Sequence, residues 1–151
     1  MPKKEQTKMA NVFDVAQFIL EEMGDLSAMK LQKLVYYSQA WHTVWADHTL
    51  FREKIEAWKD GPVCPALWRE HASEFKVTKI ARGDAEELDK RERRTVKNVL
   101  KFYGGKSAQW LSDLTHTEDP WLDARRGARP GERSKVEITV SAMQRYYASL
   151  T

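Results

Sequence analysis

Lys54-Ile-Glu-Ala-Trp-Lys-Asp-Gly-Pro-Val-Cys-Pro-Ala-Leu-Trp68 compresses a short strand, an enforced turn and a helix start into one segment. Lys54 to Lys59 reads as the strand. If its side chains alternate, Ile55 and Ala57 share one face and Glu56 and Trp58 the other, so one face should be less buried. Asp60-Gly61-Pro62 must turn, because Pro62 lacks a backbone donor and holds Gly61 in an extended or turn conformation. Pro65 suits the first turn of a helix running from Ala66 to about Ala72. Gly61 and Pro62 set the angle between strand and helix. The same rigid turn, Asp60 to Val63, is a candidate recognition element, since a rigid loop loses little entropy on complexation. Trp58 and Trp68 flank it and are candidate interface anchors.

Upstream, Lys30-Leu-Gln-Lys-Leu-Val-Tyr-Tyr-Ser-Gln-Ala-Trp-His42 belongs to a helix capped by Ser27 and running to about Ala46. Leu31, Leu34, Val35, Ser38, Trp41, His42 and Trp45 form one broad arc, and Met29, Tyr36 and Ala40 a second apolar patch. Only narrow strips remain polar, chiefly Gln32, Gln39 and Thr43. A helix apolar nearly all round is buried on several sides, which makes this the central helix, with Trp41 and Trp45 expected in the core. Before it, Asn11 caps a first helix with Asp14 at its positive end and Gly24 as its stop; Val12, Val15, Phe18 and Ile19 are its apolar stripe.

Downstream, Phe75 to Ile80 reads as a second strand whose most economical partner is the Ile55 strand. Asp84 or Asp89 starts a helix ending at Tyr103. Ser107 caps a short helix through Leu114, Pro120 opens another over Trp121 to Arg126, Glu137 and Ile138 suit a brief strand, and Thr139 or Ser141 caps a last helix ending near Leu150. No linker, repeat or low-complexity stretch interrupts the chain. The expected fold is mainly α with a small antiparallel β-sheet, an α+β arrangement in one compact domain over residues 11–151, with residues 1–10 frayed.

A chain of 151 residues is one domain by length. Its 25 basic and 22 acidic residues leave a net charge of +3, too mild to call for a nucleic-acid partner. One cysteine, Cys64, allows no internal disulfide and agrees with a reducing cytoplasm. No apolar stretch approaches a membrane span or a signal h-region, so the expectation is a cytoplasmic protein without a membrane partner.

Catalytic and cofactor chemistry finds little support. His42 lies in the apolar arc as a core histidine. His116 sits in a loop with Thr115, Thr117, Glu118 and Asp119, as a loop-fixing hydrogen bonder or, with Glu118 or Asp119, a general base, but no nucleophile accompanies it. The four histidines lack zinc-site spacing. Gly104-Gly105-Lys106-Ser107 lacks the upstream glycine and strand of a phosphate loop. No catalytic residue, metal or cofactor is expected. Lys90, Arg94, Lys97 and Lys101 follow at helical spacing on one face, with Arg125, Arg126, Arg129, Arg133 and Lys135 clustered later. This reads as a solvated basic face, or as a dock for an acidic protein or nucleic acid.

Four segments, Lys30 to His42, Ile55 to Val63, Leu114-Thr-His116 and Pro120-Trp121, together resemble the Panacea domain, also called the SocA-like antitoxin domain. The resemblance spans about residues 12 to 126. It implies a type II antitoxin that neutralises a cognate toxin protein by binding it, in a family whose members meet toxins of unrelated classes and are in some cases phage-associated. It also implies a possible further partner, a cytosolic protease complex to which a SocA-type adaptor hands its toxin. Partner-binding candidates are therefore Trp58, Asp60, Gly61, Pro62, Val63, Trp68, His116 and Trp121. The domain begins soon after Met9, so a separate helix-turn-helix domain, and autoregulation through it, are not expected.

Overall fold

The computed structural model describes residues 9–151; most of the segment expected to fray, residues 1–8, lies outside them. Helix α1, Val12–Met23, starts from Asn11 in a reciprocal capping box with Asp14 and stops at Gly24. Strand β1, Leu26–Ser27, leads into helix α2, Ala28–Trp45, whose N-cap is Ser27. Strands β2, Ile55–Trp58, and β3, Gly61–Val63, form a hairpin. Helix α3, Pro65–His71, follows, then β4, Lys76–Val77. After a single 3-10 turn capped by Asp84, helix α4 spans Lys90–Tyr103 from a second capping box, Asp89 with Glu92. The chain ends with α5, Ala108–Thr115, α6, Asp119–Ala124, β5, Glu137–Ile138, and α7, Val140–Ala148. The mainly α, α+β expectation holds.

Two expectations about the strands are corrected. The turn lies one step earlier than the glycine and proline: Lys59 and Asp60 form the hairpin loop, and Gly61-Pro62-Val63 is itself a strand paired with Glu56 to Trp58. Pro62 is tolerated because β3 is the edge of the β3-β2-β5 sheet. The Phe75 segment does not join the Ile55 strand. It pairs through β4 with β1 ahead of α2, while β2 takes β5 from the far end of the chain. Short strands carry too little side-chain pattern to choose among partners, and the choice is made by where helices deliver them.

Helix α2 runs through the centre, packed by α1, α4, α5, α7 and β3. Its supposedly polar strip is buried as well: Gln32, Lys33, Gln39 and Thr43 are each 3% exposed or less. The two glutamines act as surrogate backbone. Gln39 Oε1 accepts from Leu50 N–H at 2.7 Å and Phe51 N–H at 3.4 Å, and its amide donates to Phe51 C=O at 2.8 Å. Gln32 treats Cys64 alike, accepting from its N–H at 2.9 Å and donating to its C=O at 3.4 Å. Each amide satisfies a loop whose backbone would otherwise be buried without partners. Trp45 departs from expectation: at 45% exposure it stacks on Trp41 at the helix end rather than entering the core. Cys64 is fully buried.

Replacing Gln39 by Ala strands the Leu50 and Phe51 backbone groups in the core. The expected loss is about 2–4 kcal/mol of unfolding free energy, read from urea denaturation. An unchanged midpoint would mean the loop finds other partners.

Candidate partner-binding site

The β2–β3 hairpin is fixed from below by three side chains that donate to its carbonyls. Ser112 Oγ donates to Asp60 C=O at 2.6 Å, Trp121 Nε1 to Trp58 C=O at 2.7 Å, and Arg125 Nη1 to Ala57 C=O at 3.0 Å. Arg125 is 8% exposed and also donates to Glu132 C=O at 2.5 Å, so it leaves the basic surface cluster in which its sequence neighbours placed it. Gly61 has φ +125, and a Cβ there would stand 2.5 Å from Lys33 Cε and 3.0 Å from Thr115 Oγ1. Only glycine fits that conformation beside those two side chains. Gly61, Pro62 and Val63 are buried, so the candidate recognition turn presents Lys59 and Asp60, not glycine and proline.

Against the outer side of this hairpin lies a cavity of about 590 Å³, walled by α2, the hairpin, α3 and the Gly131 to Lys135 loop. Trp58 is half-buried and Trp68 is 41% exposed; they meet edge to face, with ring centroids 5.6 Å apart. Asp60 and Val63 line the same cavity. Trp58 Nε1 donates to Glu56 at 2.9 Å, which fixes the ring.

Lys33 also lines the cavity although it is only 1% exposed. Among the described residues its ammonium makes no hydrogen bond and no ion pair; Asp60 acts on it only at longer range. Burial lowers its pKa from 10.5 to about 8, against the pull of Asp60. His71 lines the same cavity. Because Gln32 Oε1 is committed to Cys64 N–H, the Gln32 amide nitrogen must donate to His71 Nε2 at 3.0 Å, leaving the proton on Nδ1. That Nδ1, buried, has no hydrogen-bond partner. Burial also lowers the His71 pKa, consistent with the neutral ring.

The remaining candidates fall elsewhere. His116 caps the end of α5 and stacks on Trp121 at 4.1 Å; burial first, then the charge of Lys33, lowers its pKa. Glu118 does not face it. That carboxylate is buried among tyrosines, accepting from Tyr37 at 2.8 Å and Tyr147 at 2.6 Å, and burial raises its pKa. His42 is a core histidine bonded to Thr95 at 2.8 Å, with its pKa lowered by burial to about 4. Lys90, Arg94, Lys97 and Lys101 are all exposed on α4, opposite its buried Val96, Val99 and Tyr103. Lys33, Gln32 and His71 stand in no catalytic or metal-binding motif of the sequence. The signal available was a lysine inside an otherwise apolar helix.

Lys33 costs the fold stability. From pH 10.5 down to 8 the folded chain holds fewer protons than the unfolded chain, so stability falls as pH falls through that window, and the full penalty stands at pH 7. A shift from 10.5 to about 8 corresponds to roughly 3 kcal/mol. Lys33→Met should therefore be more stable than the parent at pH 7 by an amount of that order, with the difference shrinking toward pH 10. Urea midpoints at pH 7 and 9.5 measure it; a less stable variant at pH 7 would make Lys33 a net stabiliser.

Comparison with curated proteins and with solved structures gives no match. The family profile described as antitoxin SocA-like, Panacea domain, matches residues 31–122. That span takes in most of α2, the hairpin, α3, α4, α5 and the first four residues of α6, while Arg125 and the Gly131 to Lys135 loop lie outside it. The chain belongs to the SocA-like antitoxin, Panacea domain, family.

Proposed function

We propose that this chain is the antitoxin of a type II toxin–antitoxin pair and neutralises its cognate toxin by direct protein–protein binding, without covalent chemistry. Family membership supports a protein partner. The observation that carries the reading to a surface is the Trp58–Trp68 pair, half-buried and exposed respectively, with Trp58 on a hairpin immobilised from beneath and Trp68 on α3 packed edge to face against it. Large aromatics held rigid at a cavity edge are typical binding anchors, because little freedom remains to be lost on association. A stable complex would bury on the order of 1,200–2,000 Å². Work in the cytoplasm suits the single free thiol. Among the described residues no helix is long and apolar enough to cross a membrane.

Co-expression with the product of the adjacent gene tests the reading. That product should arrest growth alone and be harmless beside this chain; a product harmless alone, or toxic in both cases, defeats it. Trp68→Ala should weaken toxin binding at least ~10-fold. Toxin lifetime separates occlusion, which leaves it unchanged, from the protease-adaptor role, which shortens it.

The alternative is a nucleic-acid-binding regulator using Lys90, Arg94, Lys97 and Lys101, which are exposed along one face and, among the described residues, make no ion pair. It requires a gel shift at low salt that disappears steeply as salt rises and on charge reversal of the four positions. Absence of any shift removes it.

A further inference from the structure

We propose that the cavity beneath Trp58 and Trp68 is a receptor for an acidic side chain of a partner protein, an Asp or Glu flanked by apolar residues, with the Lys33 ammonium as its charge partner. The proposal rests on the protein-binding reading above and deepens it.

The cavity is rich in donors and poor in acceptors. Lys33, Lys59, Arg133 and Lys135 line it against a single carboxylate, Asp60. Among the described residues, the 1% exposed Lys33 makes no hydrogen bond or ion pair, and the buried His71 Nδ1–H has no partner either. Two unpaired donors on one cavity are exceptional, since buried polar groups are almost always satisfied. An uncompensated buried ammonium lowers stability at neutral pH and contributes no internal contact in return. An incoming carboxylate supplies the acceptor that the Lys33 ammonium lacks. Arg133 and Lys135, exposed at the rim, would attract it from solution. The walls are apolar, formed by Ala28, Met29, Val63 and the two indoles, so the groups on either side of the carboxylate should be apolar too. At about 590 Å³ the cavity holds several side chains, more than an isolated anion needs.

The first experiment needs no toxin. Indole resonances of Trp58 and Trp68 are followed by NMR while the full chain is titrated with N-acetyl-Leu-Asp-Leu-amide, with its Asn counterpart, and with inorganic phosphate. The Asp peptide should shift both indoles with at least ~10-fold tighter binding than the Asn peptide. Lys33→Met should abolish the difference between peptides. The double substitution Arg133→Ser with Lys135→Ser, confined to the exposed loop, should weaken the Asp peptide severalfold, so the test stands even if Lys33→Met does not fold. Equal binding of the two peptides, no binding of either, or phosphate binding tighter than the Asp peptide each overturns the proposal.

The second experiment is neutralisation of the co-expressed toxin, which Lys33→Met should impair while the variant accumulates to parental level. Full protection by the variant overturns the proposal and leaves the antitoxin reading intact. A harmless toxin candidate defeats the antitoxin reading and leaves the peptide titration to stand or fall alone.

Discussion

Helix α2 is surrounded on every side, and each polar group it carries must find its partner inside the molecule or go without. This constraint organises the rest of the chain. Gln39 holds the Leu50–Phe51 crossing and Gln32 holds Cys64 at the start of α3. Tyr37 reaches Glu118 at the start of α6, which Tyr147 of α7 also reaches, and His42 reaches Thr95 of α4. Elements distant in sequence are thus fixed by side chains of a single helix, each aimed at a backbone group or a buried polar atom. Apolar burial supplies the general drive to pack around α2. The directional bonds decide which loop meets which turn of it.

The local grammar of the sequence was readable because it depends on neighbours. Asn11, Ser27 and Ser107 cap the helices they were expected to start, and Asp89 and Thr139, each one of two candidates, cap theirs, since a capping side chain acts within three residues of itself. What escaped was non-local. The pairing of β4 with β1 follows from where α1 and α3 deliver those segments. Trp45 shares the apolar arc of α2 yet lies beyond the reach of the surrounding helices, so the wheel places it in the core and the structure places it at the surface. Arg125 looks like a member of a basic loop in sequence, but its guanidinium is spent on backbone carbonyls. Periodicity cannot show what lies across from a side chain.

The same distinction separates what identifies the chain from what it uses. Gly61, Thr115 and Trp121 stand in the segments that carry the family resemblance, and in space they meet: Thr115 beside Gly61, and the Trp121 indole under Trp58 C=O. His116 stacks on Trp121 to complete the support. These residues set the hairpin rather than face solvent. A motif of this kind marks a platform, and a platform can be shared while the contacts built on it differ. Trp68, Lys59, Asp60 and the Arg133–Lys135 loop lie at the surface of that platform and are free to vary without disturbing it.

Lys33 is the point at which scaffold and surface join. The end of its side chain packs against Gly61, so it cannot leave without opening a gap. A methionine would fill that gap without the desolvation cost of an ammonium, and stability alone would favour it. Tyr37 and Gln39, neighbours on the same helix, show how this fold treats buried polarity elsewhere, with each group given a partner at ordinary hydrogen-bond length. Lys33 breaks that pattern on the one side of α2 that borders the large cavity, and His71 breaks it beside the same cavity. Among the described residues His42 Nε2 and His116 Nε2 are buried without a partner too, but Lys33 and His71 are the unpaired donors that line one cavity, where an acceptor arriving from outside can meet them.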